Sequence, residues 1–157
     1  MSSVQEMIGR LKPVLPEGAV TADEDYRCGA AFTVQAPIEK LRDVVRMFDE
    51  GEFYLETMTA LDFEDTFELV YHFNRYEPKS RIVLRVLCGQ GQTPDTVSDI
   101  FAGAAWLERE VHEFFGISFQ GNADMRNLLL PEDADYHPLR KNFGTVQAYR
   151  KREEIYG

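Results

Sequence analysis

The strongest structural signal in this sequence is an alternation of side chains in "TFELVYHFNRY" (residues 66–76). Every second residue from Phe67 to Phe73 is large and apolar, whereas Glu68 and His72 lie between them. Successive side chains of a strand point to opposite faces of a sheet, so this pattern puts one face inward and leaves the other polar. It predicts a strand in a sheet that is covered on one side.

Other strands and helices are indicated around this segment. Strand-like runs occupy residues 53–63 and 80–87, with short connections that favour antiparallel pairing, and two shorter runs lie between residues 19 and 35. Apolar residues at helical spacing predict a short N-terminal helix, a second helix from Pro37 to Gly51, and a third that begins near Thr93 and Pro94 and ends at Gly116.

The order of these elements, α-β-β-α-β-β-β-α, indicates an α+β fold in which helices pack on a mostly antiparallel sheet in two layers. We expect this domain to cover residues 1–116. Beyond Gly116 the pattern loses its period, so residues 117–157 are predicted to form an extended arm that docks on a partner. The arm contains too many leucines and aromatic residues for a free tail.

Composition excludes several classes of protein. The 157 residues are 44% hydrophobic, which suffices for one core, but no apolar run approaches the ~20 residues of a membrane span. The N-terminus lacks a signal-peptide pattern, so we expect a cytoplasmic location. A net charge of −10 disfavours nucleic acid as a partner. Cys28 and Cys88 have no metal-binding spacing and are predicted to be buried, so no metal site is expected.

Charge is unevenly distributed along the chain. Residues 47–74 contain eight acids and no Lys or Arg, whereas residues 139–152 contain five bases and no acid. Such polarity suits docking between surfaces of opposite sign.

The stretch "AAWLEREVHEFFG" (residues 104–116) concentrates charged residues at the end of the third helix. A zinc protease motif would require a second histidine where Gly116 stands. Glu108 and Glu110 lie two positions apart on a helix and therefore point to different sides, which disfavours a catalytic carboxylate pair. No nucleophile motif accompanies His72, His112 or His137.

Glu108 lies within the apolar stripe of this helix, so its carboxylate is predicted to be buried with a cationic partner, Arg126 or Arg140. The alternative is that Glu108 flanks the stripe and reaches solvent. Trp106 has the opposite character, because its helix neighbours include Arg109, Glu110 and Glu113. It is predicted either to contact another protein or to be covered by the arm or another loop.

The arm contains one histidine, His137, which precedes Pro138. A residue before proline favours an extended backbone. We expect His137 to make a structural hydrogen bond, although its side chain could also titrate near neutral pH.

Two stretches, "WLEREVHEFFGISFQG" (residues 106–121) and "DMRNLLLPEDADYHPLRKNF" (residues 124–143), resemble the signature of the C-type subunit of respiratory NADH:quinone oxidoreductase (complex I). That pattern runs E-R-E-x-x-D/E-x-F-G-I-x-F-x-G-H-P-D-L-R-R, then L-P, then H-P-L-R-K-D-F. The chain departs from it at Asn122-Ala123, Asn127 and Asn142. The matching residues are Glu108, Arg109, Glu110, Glu113, Phe115, Gly116, Ile117, Phe119, Gly121, Asp124, Arg126, Leu129, Pro131, His137, Pro138, Leu139, Arg140, Lys141 and Phe143.

The resemblance implies a structural and assembly subunit of the peripheral arm, without catalytic residues or a bound cofactor. Related subunits occur in energy-converting membrane-bound nickel–iron hydrogenases, so the branch stays open. Relatives pack against a large hydrogenase-like subunit (the D-type subunit of complex I) and lie near a small iron–sulfur subunit, which implies iron–sulfur clusters in the partners. The chain would lie on the cytoplasmic side and reach the membrane only through the complex, supporting electron transfer coupled to ion translocation.

By the same resemblance, Trp106 and the motif residues form the arm and the docking surface, with Arg126, Arg140 and Lys141 as ionic contacts to a partner. Two other interpretations remain. A stand-alone soluble enzyme would use Glu108, Glu110 and His137 as acid–base groups. An adaptor module would serve an unrelated complex.

Overall fold

The computed structural model of the chain describes residues 3–23, 26–27, 29–144 and 152–156. The helices are α1 (Ser3–Leu11), α2 (Leu41–Glu50), α3 (Ala104–Phe115) and α4 (Arg152–Tyr156), and a 3₁₀ turn (Ile38–Lys40) leads into α2. The strands are β1 (Val20–Ala22), β2 (Phe32–Ala36), β3 (Tyr54–Asp62), β4 (Thr66–Arg75) and β5 (Ser80–Gly89).

The strands form one sheet in the order β1-β2-β5-β4-β3. Strands β3, β4 and β5 pair antiparallel through short connections, and β1 pairs antiparallel with β2. Among the strands of the described residues, only the β2–β5 pair is parallel, because the chain crosses from β2 through α2 and the β3–β4 hairpin before it returns as β5. The predicted α+β fold with a mostly antiparallel sheet is therefore confirmed.

The core lies between one face of the sheet and the helices. The alternating residues of β4, from Phe67 to Phe73, are buried there together with the side chains of α2 that follow the predicted stripe. The other face is less polar than the alternation predicted, because Val70 and Val83 are also buried in a small second cluster. Glu68, on the same face, is fully buried.

The third helix begins later than predicted. It starts at Ala104 rather than near Thr93, because the preceding segment pairs with the chain beyond the helix. The Thr96 N–H donates to the Gln120 carbonyl, and the Gln120 N–H donates to the Pro94 carbonyl, both at 2.8 Å. These tertiary hydrogen bonds take the backbone groups that a longer helix would use, and they override the local cap signals.

Several further predictions concern the ends of the fold. The boundary after Gly116 stays a prediction, but Ile117 and Phe119 just beyond it join the main core. The arm differs from an entirely extended segment because α4 is helical. Cys88 is buried as predicted, whereas Cys28 lies outside the described residues. In the described part of the chain, none of the helices combines the length and apolar character needed to cross a membrane.

Candidate functional site

Helix α3 carries both buried and exposed candidate residues. Glu108 and Glu113 are buried, with relative exposures of 0% and 1%, whereas Trp106 and Glu110 are exposed to solvent. The burial of Glu108 confirms the prediction that its carboxylate lies within the apolar stripe. Glu113 lies on the side of the helix that carries Trp106, as its spacing predicts, but the arm covers it there.

Glu108 is held by three neutral donors. Its Oε1 accepts from the Val97 N–H at 2.8 Å, and its Oε2 accepts from the Thr96 hydroxyl at 2.6 Å and from the Asn122 side-chain amide at 2.7 Å. Burial raises the pKa of the Glu108 carboxyl, and these hydrogen bonds oppose that rise without cancelling it. The late start of α3 is what allows the Val97 N–H to face the carboxylate.

The predicted cationic partner of Glu108 was wrong. Among the described residues, no Lys or Arg forms a salt bridge with it, and the two predicted arginines pair elsewhere. Arg126 binds Asp124 at 2.8 Å, and Arg140 binds Asp62 at 3.0 Å. Neutral donors suffice because a buried carboxylate needs its oxygens hydrogen-bonded, and backbone and side-chain N–H and O–H groups do this without a second buried charge.

Glu113 ties the arm to the helix. Its Oε2 accepts from the N–H groups of Leu128, Leu129 and Leu130 at 2.8–3.1 Å, and its Oε1 accepts a further bond from Leu129 at 3.0 Å. One carboxylate therefore fixes three consecutive backbone donors of an irregular loop. The exposed side chain of Leu129 is held in position by this arrangement.

Gly116 and His137 form a second tie between α3 and the arm. Gly116 ends the helix in the left-handed conformation (φ 80°), and a Cβ there would lie 2.9 Å from the His137 ring. The His137 Nδ1 donates to the Glu113 carbonyl at 2.9 Å, in the tautomer with its proton on Nδ1, which confirms the predicted structural hydrogen bond. Two residues later, the Leu139 N–H donates to the Phe114 carbonyl at 3.0 Å, just beyond Pro138.

Gly121 serves the Glu108 site in a similar way. Its φ is 89°, and a Cβ there would approach the Thr96 Cγ2 to 3.0 Å. The residue therefore allows the chain to turn close to the threonine that binds Glu108. Phe115 and Phe119, on either side of the turn that follows α3, are both in the core.

The exposed face of α3 is centred on Trp106, whose side chain is 58% exposed. The Arg109 guanidinium lies 5.2 Å from the centre of the indole ring and donates to the Arg126 and Asn127 carbonyls, both at 2.9 Å. Of the two predictions for Trp106, coverage by the arm or another loop is not what the described residues show. A cavity of about 540 Å³ adjoins this face and is lined by Arg109, Met125, Arg126, Asn127, Glu132 and Ala134.

The middle of the arm, residues 131–143, presents further apolar side chains. Leu139 and Phe143 are about half exposed, and Phe143 stacks against Tyr136 with ring centres 5.7 Å apart. The Lys141 side chain is exposed, but its backbone N–H donates to Asp62 at 2.8 Å. Pro131 contributes a carbonyl that accepts from Asn127 at 2.8 Å.

The proposed acid–base groups have separate surroundings. Glu108 is enclosed by its three donors, Glu110 is exposed, and His137 bonds to the backbone of α3. Within the described residues, no group of three or more His, Cys, Asp or Glu side chains could hold a metal ion. The arrangement fits hydrogen-bonded scaffolding rather than proton transfer to a substrate.

A family model described as "Respiratory-chain NADH dehydrogenase, 30 Kd subunit" matches residues 34–149, which is most of the chain. The chain belongs to this family. The matched region begins within β2 and includes α2, β3 to β5, α3 and the part of the arm that carries the motif residues. The family resemblance stated from the motif residues is thereby confirmed.

Individual relatives in this family agree. The C-type subunit of NADH-quinone oxidoreductase from Roseiflexus sp. (strain RS-1) is 32% identical over 87% of the chain and 81% of its own length. A combined C/D-type subunit of NADH-quinone oxidoreductase from Phocaeicola vulgatus is 34% identical over 70% of the chain but only 22% of its own length.

A solved structure extends the likeness to the fold. The chain resembles one from "the membrane-bound sulfane sulfur reductase (MBS), an archaeal respiratory membrane complex", with a TM-score of 0.75 and 26% identity. The match covers 91% of this chain and 84% of the other. The fold of this family therefore occurs both in a sulfane sulfur reductase complex and in NADH-quinone oxidoreductase.

Some residues that shape the site were not identified from the sequence. Thr96 and Asn122 hold Glu108, and Asp62 anchors the arm. The charge pattern contained a partial signal for Asp62, because it lies in the acidic stretch and binds Arg140 of the basic one. Nothing in the spacing pointed to Thr96, whose role depends on the late start of α3.

Proposed function

We propose that this chain is a structural and assembly subunit in the peripheral arm of a complex I-like membrane oxidoreductase, where it supports electron transfer coupled to ion translocation. Family membership carries the proposal, and the named relatives and the MBS structure support it. The site supports it too, because the motif carboxylates accept hydrogen bonds that fix the segment before α3, the turn after it and the arm, rather than lining a substrate cavity.

The partner under this proposal is a large hydrogenase-like subunit of the D type. Relatives that combine the C-type and D-type subunits in one protein support it, since fusion joins segments that work together. The small iron–sulfur subunit is proposed as a neighbour from the resemblance alone. Iron–sulfur clusters then belong to the partners, and the chain itself binds none. We further propose that this protein lies on the cytoplasmic side.

The contact surface under this proposal includes Trp106 and the exposed apolar side chains of the arm. A tryptophan that is 58% exposed next to an arginine is typical of residues that dominate binding between proteins. Leu129 and Leu139 are more than half exposed on segments that Glu113 and the α3 backbone hold in place. A surface held in advance loses little conformational entropy when it binds.

The test is affinity purification of the tagged chain from gently solubilised membranes, with mass spectrometry of every co-purifying protein. Trp106→Ala is compared with wild type and with Tyr76→Ala, which removes an exposed aromatic ring from the β4–β5 turn region. We expect wild type and Tyr76→Ala to recover a hydrogenase-like large subunit with iron–sulfur proteins. Trp106→Ala is expected to recover at least about tenfold less, the loss typical of a binding hot spot.

The outcomes separate the alternatives. A co-purifying NADH-oxidising module would assign the respiratory branch, and a nickel-bearing protein would assign the hydrogenase branch. Recovery of the chain alone from membranes that retain their respiratory complexes would contradict the proposal. Equal recovery with Trp106→Ala and wild type would remove Trp106 from the contact surface while leaving the assignment to a complex intact.

A further inference from the structure

Two buried carboxylates lie at the tip of the β3–β4 hairpin, on opposite faces of the sheet. Asp62 continues the alternation of Met58 and Ala60, which face the main core. Glu68 is the cross-strand partner of Leu61 and shares the outer face with it. Both carboxylate side chains have 0% exposure in their ion pairs.

The arm supplies a cation to the inner carboxylate. The Arg140 Nε donates to Asp62 Oδ2 at 3.0 Å, and the neighbouring Lys141 N–H donates to the same oxygen at 2.8 Å. The Arg140 guanidinium also lies 4.7 Å from the centre of the Phe67 ring. The arm is therefore fixed to this face by charge, a backbone hydrogen bond and an aromatic contact together.

The C-terminal helix supplies a cation to the outer carboxylate. The Arg152 Nε donates to Glu68 Oε2 at 2.7 Å, while Arg85 of β5 donates to Oε1 at 2.8 Å. Tyr156 lies edge-on to Phe63 in the hairpin turn, with ring centres 6.2 Å apart. This anchor repeats the chemistry of the first, an arginine on a buried carboxylate beside an aromatic contact, on the opposite face.

We propose that the hairpin tip is a two-point binding site for the chain's own C-terminal part, which binds through Arg140 and Lys141 at one point and through α4 (Arg152–Tyr156) at the other. Its ligand class is a peptide with two arginines twelve positions apart, the second of which begins a short helix that carries an aromatic residue. The acidic stretch of the sequence thus contains the two receptor carboxylates, and the basic stretch contains the two arginines that bind them. This intramolecular clasp holds both anchored segments in the isolated chain, before any other protein binds.

The physical basis is that each buried carboxylate loses a charged hydrogen-bond donor when the C-terminal arginine leaves, Arg140 from Asp62 and Arg152 from Glu68, whose other oxygen keeps Arg85, so both faces favour the bound segment. When one arginine is bound, the short connection keeps the other at a high effective concentration. Loss of one anchor should therefore free its own segment strongly and the other segment weakly. Two unrelated surface contacts would show no such coupling.

The experiment is amide hydrogen exchange by mass spectrometry on the full-length chain alone. The variants are Arg152→Gln, Arg140→Gln and their combination, with Arg46→Gln as a control that removes an exposed arginine from α2. We expect Arg152→Gln to accelerate exchange in residues 152–156 at least about tenfold, and exchange in residues 139–144 by a smaller factor. Arg140→Gln should give the reverse order, and Arg46→Gln should match wild type.

Glu68→Gln tests the carboxylate that binds Arg152. It should accelerate exchange in residues 152–156 as Arg152→Gln does, and the double variant should exchange there little faster than either single variant. Exchange in residues 152–156 that is already unprotected in wild type would overturn the proposal. The proposal would also be overturned if each variant accelerated exchange at its own anchor only. The result does not depend on a partner, so the purification experiment can fail or succeed independently of it.

Discussion

The two buried glutamates of α3 occupy equivalent surroundings by exposure but hold different parts of the molecule. Glu108 binds the segment just before the helix and the turn just after it, through Val97, Thr96 and Asn122. Glu113, five positions later, binds three consecutive N–H groups of the arm. The first carboxylate therefore completes the domain, and the second attaches what lies beyond it.

The burial of these two side chains and the identity of their hydrogen-bond donors therefore depend on different parts of the sequence. Helical spacing relates a side chain to its own helix, so it indicated that Glu108 lies among apolar residues. The donors come from segments that the spacing does not describe. For both glutamates the partners include neutral backbone N–H groups, which every residue except proline provides and which leave no trace in the sequence.

The largest expected effect is that of Glu108→Ala. The change removes the acceptor of three donors in a buried site and leaves a small cavity, so we expect the free energy of unfolding to fall by about 2–4 kcal/mol. Chemical denaturation of the isolated chain measures it. Glu110→Ala, an exposed glutamate on the same helix, is the control and should change stability by less than about 0.5 kcal/mol. Equal effects of the two changes would contradict the assigned role of Glu108.

Glu113→Ala is expected to cost less globally, about 1–3 kcal/mol, because the released N–H groups of Leu128 to Leu130 are in a partly exposed loop and can bind water. Its local effect should be larger than its global one. Hydrogen exchange at residues 128–130 should accelerate, whereas exchange at residues 96–97 should stay at the wild-type rate. Acceleration at both places would mean that the two glutamates act as one unit.

The sheet could be predicted from the sequence because alternation and short connections are local signals. The antiparallel strands β3, β4 and β5 follow from them, and so does α2 with Gly51 just beyond its end. The parallel β2–β5 pair could not be predicted, because the alternation within a strand does not identify its neighbours.

The candidate site was predictable in its residues but not in its contacts. The motif identified Glu108, Glu113 and His137 as members, and the structure explains them as hydrogen-bonding groups between α3 and its surroundings. The prediction that Glu108 pairs with an arginine was wrong, because it assumed that a buried carboxylate requires a partner of opposite charge. Arg126 instead binds Asp124 within the arm, and Arg140 and Arg152 bind the buried hairpin carboxylates Asp62 and Glu68.

The pH dependence of stability separates the charge of Glu108 from its volume. The raised folded-state pKa of Glu108 lies above the unfolded value of about 4.3. Its favourable contribution is therefore fully present below the unfolded pKa and is lost as the pH rises through the folded pKa, with a slope of at most about 1.4 kcal/mol per pH unit. Glu108→Gln lacks this titration. The free energy of unfolding is measured against pH for both proteins. The value for wild type minus the value for Glu108→Gln should favour wild type at low pH and level off above the folded pKa of Glu108.

The smallest effect is expected from Asn122→His, which places at position 122 the histidine of the family pattern. A protonated imidazole beside Glu108 would supply the cation that this chain lacks there, so the pKa of Glu108 should fall and that of the new histidine should rise. A raised histidine pKa adds stability below its unfolded value of about 6.5 and loses it as the pH rises through the folded value, so we expect a gain of about 0.5–1 kcal/mol at pH 6. NMR titration of the imidazole measures the shift directly, with His72 in the same spectrum as an internal reference. An unshifted or lowered histidine pKa would mean that the ring does not reach Glu108, and that the asparagine in this chain is required by the shape of the turn rather than by charge.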